Sequence, residues 1–355
     1  MGGIPIGIHW SLAAVGALVG FELVENRFRP AFPGEVNGFY WLLALLTVLL
    51  FFAAILAHEL AHAWVARRQG IEVRGIDLWI LGGLTHLDHE ATTARGDGLI
   101  AVAGPVASGA CAAVFGAAAV AAREADLHGL WGSALAWLAL VNLILAAFNL
   151  LPATPLDGGR ILRALLWAHT GDPDRAAIAT AKTGRILALG IIAIGGLLAF
   201  NGEPALFVVL AGWFIFSSSR SSEQFHTVRA TLAGRPVHHV TWYGVARAAD
   251  WLSVGTMLDQ QARMGFAGVV AVEGFGGGLK GLVTLGQLLA VPEADRWTTH
   301  LAELTIPFNR LGRAAPGDDT IAALSISPGP IVTVWDNGEL VGVVTPQQIR
   351  HVAHR

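Results

Sequence analysis

Leu49-Leu50-Phe51-Phe52-Ala53-Ala54-Ile55-Leu56-Ala57-His58-Glu59-Leu60-Ala61-His62 sets two histidines and a glutamate at the end of an uncharged apolar run that begins at Val36. In a helix, residues four apart share a face, about 6 Å from one another, so both imidazoles can reach one zinc ion while Glu59 reaches an adjacent water. Ionisable groups in a hydrocarbon layer cost several kcal/mol unless paired, and by default they mark functional sites. A metal-free helix bundle in which the three groups satisfy one another is the bland alternative.

The whole chain has the composition that this setting requires. Of 355 residues, 54% are hydrophobic and 43 more are Gly, against 14% charged, and mean hydropathy is +0.56. That balance excludes a disordered chain, a nucleic-acid binder built on basic patches and an ordinary soluble enzyme. Uncharged stretches long enough to cross a bilayer cover residues 1–21, 36–57, 98–122 and 127–156. Two shorter ones cover 186–202, extendable back toward Ala179 with Lys182 and Arg185 snorkelling, and 204–217. Six spans are expected, the first retained rather than cleaved, because no basic n-region or cleavage site accompanies it. Gly2 is no myristoylation site, since Ile6 stands where Ser or Thr is needed. Basic residues gather after span 2 (Arg67, Arg68, Arg74, Arg95), between spans 4 and 5 (Arg160, Arg163, Arg175, Lys182, Arg185) and at Arg220. The opposite loops hold Arg27, Arg29 and Arg123, so both termini are expected in the cytoplasm of a multi-pass plasma-membrane protein. The single cysteine, Cys111, reads as a packing residue.

A catalytic zinc takes three protein ligands and keeps one open position. Asn149-Leu150-Leu151-Pro152-Ala153-Thr154-Pro155-Leu156-Asp157-Gly158-Gly159 ends a long apolar run in a carboxylate between prolines and glycines. Pro152 and Pro155 break the helix, Gly158 and Gly159 let the backbone turn, and irregular backbone at membrane depth needs protein or a cavity around it. Asp157 is expected as the third ligand, with a cap on the following helix as its rival role.

From about Thr231 the pattern becomes short β-type runs between turns, and two copies of a strand, a Gly turn, G-x-V-T and a helix recur at Val269 to Leu289 and Ile331 to Val352. The expected layout is a transmembrane domain over 1–219, a linker over 220–236 and a repeated α/β pair of crossover units over 237–355.

These residues together resemble the site-2-type intramembrane zinc metalloproteases, in the bacterial and archaeal branch that carries CBS domains. The resemblance rests on Gly3-Ile4-Pro5-Ile6-Gly7-Ile8-His9-Trp10-Ser11, His58-Glu59-Leu60-Ala61-His62-Ala63, Leu81-Gly82-Gly83, Ala103-Gly104-Pro105 and Phe148 to Arg160. It implies a polytopic α-helical membrane protein of about six transmembrane helices with a C-terminal cytoplasmic α/β tandem CBS domain. It also implies one zinc per chain on His58, His62 and Asp157, with Glu59 as catalytic base. The substrate would be a single-pass membrane protein, such as a membrane-tethered regulator, cut in or near its transmembrane segment. CBS pairs commonly hold an adenine nucleotide through an Asp after the G-x-V-T strand. Here those positions are Gln287 and Gln348, which cannot give a ribose diol the charged bidentate contact, so homodimerisation or substrate docking is expected of the tail before nucleotide binding.

Three further positions are candidates for holding the substrate backbone or an oxyanion: Asn149, two turns before Asp157, and Gly82 and Gly83, in a loop expected to dip into the membrane and offer a strand edge. Asn142 reads as interhelical glue, His86 and His89 as solvated loop residues, and His9 as an interfacial anchor beside Trp10. A CBS-regulated transporter would show repeats across its spans, which are absent from the sequence. A silent scaffold would not keep all four catalytic positions.

Overall fold

The computed structural model describes residues 3–80, 82–125, 129–264 and 268–353. The chain forms two compact units, the first ending at His226 and the second beginning at Thr227.

In the first unit, β1 (Ile6–Ile8) leads to α1 (Ser11–Glu22), a π-helical turn (Leu23–Phe28) and the short α2 (Arg29–Ala31). The expected span over 1–21 is thus helical only from Ser11; Met1 and Gly2 lie outside the described residues. Ile4, Ile6 and Ile8 alternate with Pro5 and Gly7, a two-residue period that suits a pleated strand and gives no helical face. Hydropathy alone hid this, because an uncharged run scores alike in either conformation. The long α3 (Asn37–Arg68) follows, its 32 residues covering about 48 Å at 1.5 Å each. Leu23, Val24 and Phe28 bury themselves against Tyr40, Leu43 and Ala44 of α3.

The β-strands β2 (Val73–Trp79) and β3 (Gly82–Leu87) form an antiparallel hairpin, and β1 adds in parallel to β2, giving the order β1-β2-β3. Leu81 lies outside the described residues. Next come α4 (Ala94–Glu124), capped by Thr93 through Gly96 N–H, and α5 (Gly129–Asn149); Leu127, where the fourth expected span begins, also lies outside. After a break, α6 (Asp157–Thr170), α7 (Pro173–Phe200) and α8 (Leu206–Leu232) complete the helices. Among the described residues, α3, α4, α5 and α7 are long and apolar enough to cross a membrane. The remaining two expected spans correspond to α1, of 12 residues, and to the apolar first half of α8. Residues 220–232 of the expected linker are helical, as the end of α8.

The second unit contains β4 (Trp242–Tyr243), β5 (Ala246–Ala249), α9 (Val254–Met264), β6 (Val269–Glu273), β7 (Leu279–Thr284), α10 (Leu285–Ala290), α11 (Leu301–Leu304), β8 (Ile306–Pro307), β9 (Gly312–Ala314), α12 (Thr320–Ser325), β10 (Val332–Asp336), β11 (Glu339–Val344) and α13 (Pro346–Ala353). The repeat is visible in the topology. Each half has a parallel crossover, β5 to β6 through α9 and β9 to β10 through α12, and then an antiparallel hairpin, β6-β7 or β10-β11. The halves exchange edge strands, since β8 pairs with β7 and β4 with β11. The units are therefore half crossover and half hairpin rather than mostly crossover. Asn337 and Gly338, both at positive φ, make the tight turn that a two-residue hairpin needs.

Candidate metal centre

Helix α3 carries His58, Glu59 and His62, all buried although their neighbours are apolar. The two rings meet edge to face with centroids 4.8 Å apart, as i and i+4 positions require. Asp157 arrives from 99 residues further along the chain. Helix α5 stops at Asn149 because Pro152 and Pro155 cannot continue the hydrogen-bond ladder, and α6 restarts with Asp157 as its first residue. Leu156, not Asp157, is the cap residue, so the carboxylate is free of the capping role. Gly158 and Gly159 are helical rather than turning residues. They are small because a Cβ would stand 2.2 Å from the Leu150 carbonyl oxygen or 2.6 Å from that of Ala153.

Asp157 Oδ2 lies 3.2 Å from His58 Nε2 and 3.3 Å from His62 Nε2. The three ligand atoms lie within 4.8 Å of one another. The opposite ring nitrogens are engaged elsewhere: His58 Nδ1 with Ser108 Oγ at 2.9 Å, and His62 Nδ1 with the Ile100 carbonyl at 2.7 Å. That pattern turns both Nε2 atoms inward, as it does in metal sites whose ligating imidazoles are held from behind. Two nitrogens and one carboxylate oxygen suit zinc. The two N···O separations match the edge of a tetrahedron of 2.0–2.1 Å bonds, roughly 3.3 Å. Gly104 of α4 faces the pair, and a Cβ there would stand 2.3 Å from His62 Nε2 and 2.4 Å from His58 Nε2. The residues present fit the ion.

Glu59 is covered by β3. Thr85 Oγ1 donates to Glu59 Oε2 at 2.7 Å, and Gly83 packs so closely that a Cβ would stand 2.2 Å from Glu59 Cγ. Gly83 therefore lies against the Glu59 side chain, while Gly82, at φ +125°, has open space around it. Asn149 gives its amide to the Leu145 carbonyl of its own helix at 3.1 Å. Asn142 likewise donates to Leu138 of its own helix, not across helices as expected. His86 pairs with Asp77 on the exposed face of the hairpin, His89 bonds the Glu90 carbonyl, and His9 holds Ser11 at the start of α1.

Sequence reading missed Ser108, Thr85 and the Ile100 carbonyl. Ser108 stands four residues after Gly104, so helical spacing from the Ala103-Gly104-Pro105 turn was the available signal. Thr85 carried none.

A model of the family described as Peptidase family M50 matches residues 46–193. "Putative zinc metalloprotease Rip3" of Mycobacterium tuberculosis is 35% identical over 98% of this chain and 90% of its own length. The solved site-2 protease of Methanocaldococcus jannaschii is 28% identical, covering 63% of this chain and 92% of that one, with a TM-score of 0.43. A CBS-domain-containing protein of Agrobacterium tumefaciens is 17% identical, covering 31% of this chain and 84% of that one, with a TM-score of 0.27. With Rip3 matched along nearly its whole length, the chain belongs to peptidase family M50, the site-2-type zinc metalloproteases.

Proposed function

We propose that this membrane metalloprotease hydrolyses a peptide bond in or near the transmembrane segment of a single-pass membrane protein, as in regulated intramembrane proteolysis. The observation that carries the reading is the approach of Asp157 Oδ2 to both imidazole Nε2 atoms beside the buried Glu59. His58, His62 and Asp157 hold one zinc per chain, and Glu59 is the base.

Bound zinc supplies Lewis acidity, polarising a carbonyl and lowering the pKa of water toward about 7. Glu59 accepts a proton from the attacking water, held for that task by Thr85, and returns it to the leaving amine as the C–N bond breaks. The new C–O bond leaves a carboxylate on one product. A helical substrate keeps its carbonyls bonded to its own backbone, so it must unwind. Strand β3 has β2 on one side and, among the described residues, no strand on the other; a substrate strand added there would lie beside Thr85 and Glu59. Gly82 and Asn149 are proposed to line its path.

The charge asymmetry of the loops supports cytoplasmic termini, with α1 and α8 completing six spans. His58 precedes Arg67 by nine residues, about 14 Å of helix, so the cut falls nearer the cytoplasmic leaflet. Residues 1–219 are assigned to catalysis and 237–355 to docking or dimerisation. Metal content of the detergent-purified protein, with cleavage of a single-span substrate, tests the reading. We expect one zinc per chain, retained without activity in Glu59→Gln and lost with activity in Asp157→Ala. Product termini mapped by mass spectrometry near the outer face would refute the placement of the cut.

A further inference from the structure

Asp97, in the first turn of α4, is fully buried. An acidic residue there ordinarily faces water and the positive end of the helix dipole, whereas this carboxylate is spent on two guanidinium groups from another helix. Arg160 Nη2 donates to Asp97 Oδ1 at 3.0 Å, and Arg163 gives Oδ2 both Nε, at 2.9 Å, and Nη2, at 2.8 Å. Both arginines belong to α6, three and six residues after Asp157. A buried carboxylate needs such partners, and a two-pronged arginine contact fixes direction as well as distance.

Helix α4 also holds the other two ligands. On α4, Asp97, the Ile100 carbonyl, Gly104 and Ser108 follow at intervals of three or four, so they share one face. Ile100 holds His62, Gly104 faces both Nε2 atoms and Ser108 holds His58. Helix α6, by contrast, is separated from α5 by the proline-broken segment, so its rotation and axial position are not inherited from the preceding span. A 1 Å misplacement of a reacting group can cost about a hundredfold in rate, and loss of groups that orient metal ligands costs roughly tenfold to a hundredfold in affinity.

We propose that Asp97, Arg160 and Arg163 form a clasp that sets the position of Asp157 against His58 and His62, making Asp97 a positioning residue for the metal centre. This rests on Asp157 being a zinc ligand. The clasp acts through the register of α6 and touches neither substrate nor ion.

The test is zinc affinity of the full-length protein in detergent, measured by competition with a chelator, alongside the thermal midpoint of the metal-free protein. Asp97→Asn should weaken zinc roughly tenfold to a hundredfold, the range seen when groups supporting metal ligands are lost. Arg163→Lys, which keeps the charge and loses the fork, should fall between. Glu223→Gln breaks the Arg185–Glu223 pair, 2.6 Å long and attached to α7 and α8 instead; sharing no partner with the metal ligands, it should leave zinc affinity within about twofold of wild type. Neutralising all three clasp residues together (Asp97→Asn, Arg160→Gln, Arg163→Gln) removes the guanidinium charges that Asp97→Asn leaves without their buried carboxylate, so the metal-free midpoint should recover while zinc affinity stays low. Recovery of both, or a folded Asp97→Asn that binds zinc like wild type, overturns the clasp. If Asp97→Asn does not fold, Arg163→Lys and the triple variant decide. Wild-type zinc affinity in Asp157→Ala would instead sink the ligand assignment itself.

Discussion

Thr85 Oγ1 donates a hydrogen bond to Glu59 Oε2 at 2.7 Å, joining the edge strand of the hairpin to the proposed base on α3. A hydrogen bond to a charged group is worth about 1.5–3 kcal/mol, and about 1.4 kcal/mol is tenfold in rate. Thr85→Val should therefore lower kcat roughly tenfold to a hundredfold. Zinc content should not change, because Thr85 touches none of the three ligands. Steady-state cleavage assays beside metal analysis separate these effects, and loss of zinc would show that Thr85 supports the whole site rather than the base.

Ser108 stands behind His58 as the Ile100 carbonyl stands behind His62. Only the first partner is a side chain. Ser108→Ala should cost about tenfold in zinc affinity, and Ser108→Thr, which keeps the hydroxyl, should recover much of it if the extra methyl is accommodated. Chelator competition reads both, and an unaltered affinity in Ser108→Ala would show that α3 alone orients His58.

What the sequence made legible was set by contrast with its background. His58, Glu59, His62 and Asp157 stand out because carboxylates and imidazoles are rare in uncharged runs, and the tail repeat stands out because β-branched runs and Gly turns recur in order. Gly104, Ser108 and Thr85 carry no such contrast: glycine is everywhere in this chain, and hydroxyl residues are ordinary in spans and hairpins. The N-terminal strand was hidden for a related reason, since hydropathy sums over a window and discards the two-residue alternation of Ile4, Ile6 and Ile8. Asp97 carries no mark in the sequence, and only the fold brings Arg160 and Arg163 to it.

In the tail, Gln287 Oε1 accepts from both the N–H and the hydroxyl of Thr284, at 3.0 and 2.9 Å, and its Nε2 donates to the Leu304 carbonyl at 2.9 Å. Gln348 accepts from the same two groups of Thr345, both at 3.3 Å. A ribose diol would have to displace these bonds and would gain no charged acceptor in return. Millimolar ATP or AMP should leave the thermal unfolding of the full-length protein unchanged. A micromolar site would add about 4 kcal/mol under those conditions, so a clear rise in midpoint would establish nucleotide binding.

Gly104→Ala asks whether the space between the imidazoles is needed. The backbone of α4 is fixed there from both sides, by Ile100 holding His62 and Ser108 holding His58, so the helix cannot retreat without releasing a ligand. A methyl group 2.3–2.4 Å from both Nε2 atoms is far inside contact distance, and the rings, tied at Nδ1, have nowhere to rotate. Alanine is otherwise the better helix former, by about 1 kcal/mol over glycine, so the substitution does not weaken α4 itself. The expected outcome is a protein that still inserts and unfolds cooperatively but holds less than a tenth of the wild-type zinc and cleaves nothing, with no rescue by excess metal. Full zinc occupancy in Gly104→Ala would mean that the imidazoles part to admit the ion, and that the 3.2 and 3.3 Å approaches of Asp157 describe a closed, metal-free pairing instead.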